Sequence, residues 1–223
     1  MKLKSSSGAL SPVEHAGWLT PVRERRTFDP SLNLQRESVY LKTVDVPTFR
    51  IWRSTDSVVL GRFLVPVNEV HLARARELEV PVFHRVSGGG AVFHDLGNIN
   101  YSIYLPQGYA TGFGVERSLK VFSFPVTGLL DSLGVRWTWE PPNNIYALGR
   151  KISGSAQARS GGRLLHHGTL LVHTDLDKMC QLLKPGGRSS IAPVVNLSEI
   201  VSDITVAEIV EILETTLGQM PTG

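Results

Sequence analysis

The chain has 223 residues and a formal net charge of +3, with 42% hydrophobic and 19% charged residues. This composition is ordinary for a globular protein and excludes an intrinsically disordered chain. Its basic residues are diluted by acidic and apolar neighbours and no stretch approaches the roughly 18 apolar residues of a membrane span, so we expect neither nucleic acid nor a membrane as partner.

Pro and Gly residues interrupt any hydrophobic period over residues 1–30, which are therefore predicted to be irregular, while 31–223 are predicted to form a single domain. The first half of that domain is predicted to contain a weak helix, two strands joined by a polar turn, a second helix and two further strands. In chain order these elements begin with 33–42, 49–63 and 68–79, continue with a strand that starts at 81–83 and runs into the glycines at 88–90, and end with 98–105.

The second half is predicted to begin with a long helix that is kinked at Pro125. Four strands and two shorter helices follow it. In chain order these elements cover 115–133, 135–138, 144–147, 151–158, 164–173, 175–183 and 205–217. Strand and helix do not alternate strictly, so the predicted fold class is α+β, with a mixed β-sheet core and packed helices.

A glycine-rich segment, Arg85 to Asn98, holds three successive glycines, Gly88 to Gly90. Glycines let the backbone take positive φ and approach a ligand closely, and successive free N–H groups bind anions such as phosphate. The segment fits neither the Walker pattern nor the dinucleotide pattern, because Ala-Val follows the glycines and a strand follows the segment. A glycine-rich bulge without a ligand remains the alternative.

A lysine among small residues, in the segment Arg150 to Gln157, is the second signal. Strand alternation predicts that Lys151, Ser153 and Ser155 share one face, where a bulky ligand could lie against the small side chains. The ammonium would then stabilise phosphoryl or carboxylate charge, whereas the alternative is a solvated strand lysine. His166 and His167 follow on a strand and point to opposite faces, which disfavours a shared metal ion.

The lone cysteine, Cys180, cannot form an internal disulfide or a cysteine-rich zinc site, and this favours a reducing cytoplasm. It lies four residues after Leu176 in a predicted amphipathic helix. We therefore expect its thiol to be buried on the apolar stripe and unreactive.

Together, the glycine-rich and lysine segments resemble the lipoate–protein ligase family, within the wider biotin/lipoyl ligase group. The similarity continues through His166 to Leu171, Asp175 to Lys178 and Val195 to Leu197, and covers roughly residues 33–217. The family implies ATP and Mg²⁺ as cofactors, lipoate or octanoate as substrate, and a lysine of a lipoyl carrier domain as acceptor.

The resemblance also implies roles for individual residues. Lys151 would be the catalytic residue, holding the carboxylate and the α-phosphate. The residues implied to bind the nucleotide and acyl group are Arg85, Gly88, Gly89, Gly90, Ala91, Val92, Phe93, His94, Asn98, Asn143, Ser155, Ala156 and His167.

Three departures from the family pattern qualify these expectations. One is Leu64, which stands where the family commonly has Gln. The family often has Asn-Asp at the place of Asn143-Asn144, so a carboxylate that would help to hold magnesium is missing. Larger members carry a C-terminal accessory domain, whereas this chain ends soon after Leu217. We therefore expect either a separate accessory chain or transfer mainly from preformed acyl-adenylate. Two other functions stay open: an ATP-independent octanoyl or lipoyl transferase with a thiol nucleophile, and a non-catalytic binding module.

Overall fold

The computed structural model describes residues 19–22, 24–109, 112, 114–185 and 193–219. Ten strands and seven α-helices occur in this part of the chain. The strands are β1 (Thr20–Pro21), β2 (Thr48–Trp52), β3 (Ser57–Leu60), β4 (Val82–His84), β5 (Val92–His94), β6 (Asn98–Leu105), β7 (Trp137–Glu140), β8 (Asn144–Ala147), β9 (Arg150–Ser160) and β10 (Arg163–Leu171). The helices are α1 (Pro30–Thr43), α2 (Pro66–Glu69), α3 (Leu72–Glu77), α4 (Val115–Val121), α5 (Phe124–Ser132), α6 (Leu176–Leu182) and α7 (Val206–Gly218).

Seven strands form the larger sheet, in the order β1-β2-β6-β10-β9-β8-β7. All of its pairs are antiparallel except β1 with β2. The remaining strands form a small sheet in the order β4-β3-β5, in which β3 and β4 are parallel. The mixed sheets with packed helices confirm the predicted α+β class.

One face of the larger sheet carries the main hydrophobic core. Strand alternation directs Ile99, Tyr101 and Ile103 of β6 to this face, where α5 and α7 cover them. Helix α7 begins at a capping box formed by Thr205 and Glu208, as its sequence spacing predicts. The alternate residues of the strands face the opposite side of the sheet, where α1 and the small sheet pack.

Several of the predicted elements differ from the structure. The helix predicted over 68–79 is divided into α2 and α3, because Val70 adopts an extended conformation and forms a β-bridge with Leu183. The two strands predicted within 49–63 form but pair in different sheets. The strand predicted over 135–138 begins two residues later, as β7, and Thr20–Pro21 adds a short strand within the segment predicted to be irregular.

The long helix predicted over 115–133 is interrupted as expected, since α4 ends at Val121 and α5 begins at Phe124, one residue before Pro125. None of the helices in the described ranges combines the length and apolar character that crossing a bilayer requires.

Candidate active site

A cavity of about 520 Å³ opens on the face of the larger sheet opposite the main core. Its walls come from both sheets, from α1 and from the segment between β7 and β8. Part of the wall is apolar, formed by Leu34, Trp52, Val59 and Val92, which also pack with one another around β3. Its size and mixed lining are typical of sites for small organic ligands.

Arg85 holds the glycine-rich loop in place from beneath. Its Nη2 donates to the carbonyl oxygens of Gly88 (2.6 Å) and Gly90 (2.8 Å), and its Nη1 donates to Val59 (3.2 Å). Its Nε donates to Ser87 Oγ at 2.9 Å. Burial lowers the pKa of the guanidinium to about 10, so it stays charged at neutral pH. Most of its donors are therefore used on the loop, although Arg85 also borders the cavity.

Two backbone segments approach too closely at the loop for any side chain to intervene. A Cβ on Gly61 would lie 2.1 Å from the carbonyl oxygen of Gly89. Gly89 itself has φ of +91°, a conformation that favours glycine. The Arg62 N–H donates to the Ser87 carbonyl at 2.8 Å, which joins the end of β3 to the loop. Gly61 lies in the segment Val59 to Phe63, which resembles an early strand of the family but was not predicted to belong to the site, and its missing side chain lets the loop approach.

Lys151 lies at the mouth of the cavity, near the start of β9. Its Nζ and Cε both lie 2.9 Å from where a Cβ of Gly154 would be, so the absence of that side chain makes room for the lysine. Its backbone is held on the other side by hydrogen bonds with Pro193 and Val195. Burial, and secondarily Arg85, lower the pKa of the ammonium.

The predicted shared face of Lys151, Ser153 and Ser155 is wrong. The register of β8 with β9 shifts between Ile145 and Tyr146, so that Ile152 is the extra residue of a β-bulge. Beyond the bulge, Ser153 lies opposite Ile145 and belongs to the core face, as does Ser155. The residues that share the cavity face with Lys151 are therefore Gly154 and Ala156.

A buried hydrogen-bonded pair, Glu37 and His167, lies on the inner side of the cavity. His167 Nδ1 lies 2.9 Å from Glu37 Oε1, and its Nε2 lies 2.6 Å from Ser87 Oγ. Ser102 donates to the same Glu37 oxygen at 2.7 Å. Burial alone raises the pKa of Glu37, but His167, Ser102 and a nearby arginine together lower it below its ordinary value.

Glu37, Ser87 and Ser102 were not identified from the sequence as site residues. Glu37 and His167 are 130 positions apart, and helix α1 had only a weak pattern. An acidic residue on the buried side of that helix, where Glu37 is only 1% exposed, was the one available signal.

His94 and His166 are both buried and neutral. Burial lowers the pKa of His94 and of His166 to about 3. His94 borders the cavity, whereas His166 points into the main core against Tyr101 and Phe122. The two adjacent histidines of β10 therefore lie on opposite faces of the sheet, as strand alternation predicts.

Most of the predicted site residues surround this one cavity. Those that border it are Arg85, Gly89, Gly90, Ala91, Val92, Phe93, His94, Asn143, Lys151, Ser155, Ala156 and His167. Gly88 and Asn98 do not border it. The Asn98 side chain is buried and donates to Asn100, and it is Asn100 that reaches the cavity wall.

The sequence matches the family described as the lipoyl protein ligase A/B catalytic domain over residues 29–218. The chain belongs to this family. It is 35% identical to a probable lipoate-protein ligase A of Mycoplasma genitalium over 196 residues, which are 82% of this chain and 57% of that protein. It is 33% identical to the lipoate-protein ligase LplJ of Bacillus subtilis, over 78% of this chain and 55% of that protein. The chain thus spans little more than half the length of these relatives.

Solved structures of lipoate-protein ligases have the same fold as this chain. The chain superposes with a TM-score of 0.79 and 27% identity on a bi-partite lipoate protein ligase from Thermoplasma acidophilum, over 92% of this chain and 84% of that one. A lipoate-protein ligase A bound with ATP also superposes with a TM-score of 0.79 and 27% identity, over 92% and 85% of the two chains. The expected similarity to the lipoate–protein ligase fold is confirmed.

Proposed function

We propose that this chain is the catalytic part of a lipoate–protein ligase, which activates lipoate or octanoate with ATP and transfers the acyl group to a lysine of a lipoyl carrier domain. One observation carries the proposal. A half-buried ammonium, Lys151, lies beside the glycine-rich loop at the mouth of a cavity whose wall is partly apolar. An acyl-adenylate has the matching parts: an apolar chain, a central phosphate charge and a nucleoside.

The proposed reaction has two steps. A carboxylate oxygen of the acyl acid attacks the α-phosphorus of ATP, the bond to the bridging oxygen breaks, and pyrophosphate leaves. The neutral ε-amine of the acceptor lysine then attacks the acyl carbonyl carbon, AMP leaves, and the amine loses its proton. Negative charge develops near the α-phosphate in the first step, where the Lys151 ammonium can stabilise it.

The acyl chain would lie along the apolar wall of Leu34, Trp52 and Val59. The Glu37–His167 pair at the inner side would then meet the far part of the chain. The adenylate would lie against the backbone of Gly90 to Phe93, and Arg85 would act mainly by holding the loop. Asn143, whose side chain donates to the Ser155 carbonyl, would hold the β8–β9 side of the mouth.

Magnesium belongs to this proposal as the partner of the ATP phosphates, whose charge it would neutralise. The residues inside the cavity provide few free carboxylate oxygens for the cation. Glu37 is the one carboxylate among the described residues that border the cavity, and it is already bonded to His167 and Ser102. Residues at the mouth are therefore the ones that could contact the cation.

Several further expectations belong to the same proposal. The catalytic domain would comprise residues 31–223, and a separate accessory chain would assist it. A bi-partite ligase and its E2 lipoyl domain are known from Thermoplasma acidophilum, which supports both kinds of partner. A cytoplasmic location stays a prediction that rests on the single cysteine.

Exchange of labelled pyrophosphate into ATP tests the activation step. We expect exchange that depends on lipoate or octanoate, measured with the chain alone and with a candidate accessory chain. An absence of exchange under all of these conditions would contradict the ligase function. Transfer from supplied lipoyl-adenylate to a lipoyl domain, measured in parallel, tests the second step separately.

A further inference from the structure

A short segment that leads from the end of β3 into α2, residues 62–68, exposes apolar side chains and is called here the rim segment. Phe63 is 77% exposed, Val65 is 54% exposed and Val67 is 55% exposed. Leu64, between the first two, is buried in the core around the small sheet and fixes the segment in place. Large apolar side chains that are grouped on a surface, instead of scattered singly, mark an interaction site.

The rim segment adjoins the glycine-rich loop at the mouth of the cavity. Gly61, directly before the segment, approaches the Gly89 carbonyl so closely that a Cβ would lie 2.1 Å from its oxygen. A Cβ on Gly89 would in turn lie 3.8 Å from the Cβ of Ala156. Ala156 is on the face of β9 that also carries Lys151. The rim segment therefore lies outside the loop, on the side of the mouth across from the lysine.

The exposed charge of the rim segment is positive. Arg62 is exposed, and its guanidinium lies 5.5 Å from the centroid of the Phe63 ring. Lys184 adds an ammonium, which donates to a backbone carbonyl of the segment at 2.8 Å. Glu69, the first acidic residue after the segment, is only 4% exposed. Aromatic and arginine side chains are enriched among the residues that contribute most to protein binding, and positive charge favours an acidic partner.

The proposed transfer reaction brings one particular protein to this place. The ε-amine of the acceptor lysine must reach the acyl carbonyl carbon, which would be held at the mouth beside Lys151. A specific interface usually covers about 800 Å² of each partner, so the surface of the carrier domain must extend from the mouth onto the residues around it. The rim segment offers apolar area and a matching charge at this distance from the mouth.

We propose that the rim segment, with Arg62 and Phe63 at its centre, is the docking surface for the carrier domain, and that it binds an acidic surface with apolar side chains beside the acceptor lysine. The proposal rests on the function proposed above. Arg62, Phe63, Val65 and Val67 do not border the cavity. They would therefore determine how the carrier domain binds, and leave the formation of the adenylate to the cavity.

Steady-state transfer from supplied lipoyl-adenylate to a recombinant E2 lipoyl domain tests the surface. We expect Phe63→Ala and Arg62→Glu each to raise the KM for the lipoyl domain by about tenfold or more, since central aromatic and arginine contacts contribute this much. The kcat at saturating lipoyl domain and the lipoate-dependent exchange of pyrophosphate into ATP should not change. Added salt should raise the KM of the wild type and lower that of Arg62→Glu, because it screens an attraction in one and a repulsion in the other.

A pair of valines provides the matched control. Val65→Asp should raise the same KM, whereas Val46→Asp should not. Val46 is 53% exposed, as Val65 is at 54%, but it precedes β2 at the end of that strand remote from Trp52 and the cavity. Equal KM increases in the two valine variants would overturn the inference.

Other outcomes also overturn it. An unchanged KM in both Phe63→Ala and Arg62→Glu means that the carrier domain docks elsewhere. Exchange that Phe63→Ala lowers only when an accessory chain is present assigns the rim segment to that chain, and self-association of the wild type that Phe63→Ala abolishes in sedimentation assigns it to a second copy. Each of these results leaves the proposed function intact. A wild type with neither exchange nor transfer overturns the proposed function, and the inference with it.

Discussion

The polar groups on the inner side of the cavity are hydrogen-bonded to one another, whereas the ammonium at its mouth is available to a ligand. On the inner side, the Glu37 carboxylate and the His167 imidazole lie 2.9 Å apart, and Ser102 and Ser87 complete their hydrogen bonds. At the mouth, the Lys151 ammonium extends over Gly154 with an amide oxygen nearby. Charge that is already paired maintains the shape of a site, whereas an ammonium left open at the mouth is available to a ligand.

The largest effect is expected from a substitution that breaks the Glu37–His167 pair. Glu37→Leu leaves His167 without its carboxylate, and we expect the free energy of unfolding to fall by about 3–5 kcal/mol. The double variant Glu37→Leu/His167→Leu should lose less, because both partners of the buried pair are removed together. Urea denaturation of the wild type, both single variants and the double variant measures this. A double variant that loses the sum of the single effects would show that the pair is not coupled.

A change at the mouth should affect binding instead of folding. We expect Lys151→Ala to lower the rate of adenylate formation by about a hundredfold or more, with the midpoint of thermal unfolding unchanged. Lys42→Ala, at the exposed end of α1, is the control. Near-normal turnover by Lys151→Ala would identify the lysine as a solvated surface residue.

The same lysine gives a pH dependence with a definite sign. Binding of an anionic adenylate needs the charged ammonium, so affinity should fall as the pH rises. Because burial and Arg85 lower the pKa of Lys151, this fall should begin at a lower pH than for an ordinary lysine. Titration of a hydrolysis-resistant phosphonate analogue of lipoyl-adenylate at a series of pH values measures it. Affinity that is constant through the alkaline range would contradict the assigned contact.

A smaller effect is expected from the support of the glycine-rich loop. Gly61→Ala puts a Cβ 2.1 Å from the Gly89 carbonyl oxygen, so the loop must shift. We expect affinity for the adenylate analogue to fall by about tenfold, since displacing a positioning group by about 1 Å is enough for such a loss. Gly114→Ala, where no atom lies within 4 Å of the added Cβ, is the control. Equal affinities in the two variants would mean that the loop adapts without cost.

The smallest effect is expected at Cys180. Its predicted burial is wrong: the thiol is exposed, because the buried face of α6 consists of Met179 and Leu182. Cys180 is also absent from the residues that border the cavity within the described part of the chain. Cys180→Ala should therefore leave acyl transfer unchanged and alter the free energy of unfolding by less than about 0.5 kcal/mol. A thioester on Cys180 in the mass spectrum, with transfer abolished in the variant, would favour the ATP-independent transferase.

The sequence predicted the mouth of the site better than its inner side. Gly88 to Gly90 and Lys151 are contiguous signals in short segments, and the elements that carry them are where periodicity predicted. The Glu37–His167 pair and the Gly61–Gly89 approach join residues far apart in the chain, so no local pattern reports them. Which residues share a face of the sheet with Lys151 depends on the one-residue bulge at Ile152, which strand alternation alone cannot detect.

Native mass spectrometry of the purified chain with supplied lipoyl-adenylate tests the central claim most directly, namely that this cavity holds an acyl-adenylate beside Lys151. The account predicts a non-covalent one-to-one complex for the wild type and for Lys42→Ala, and little or no complex for Lys151→Ala. A wild type that retains no lipoyl-adenylate, or a Lys151→Ala variant that retains as much as the wild type, would contradict it.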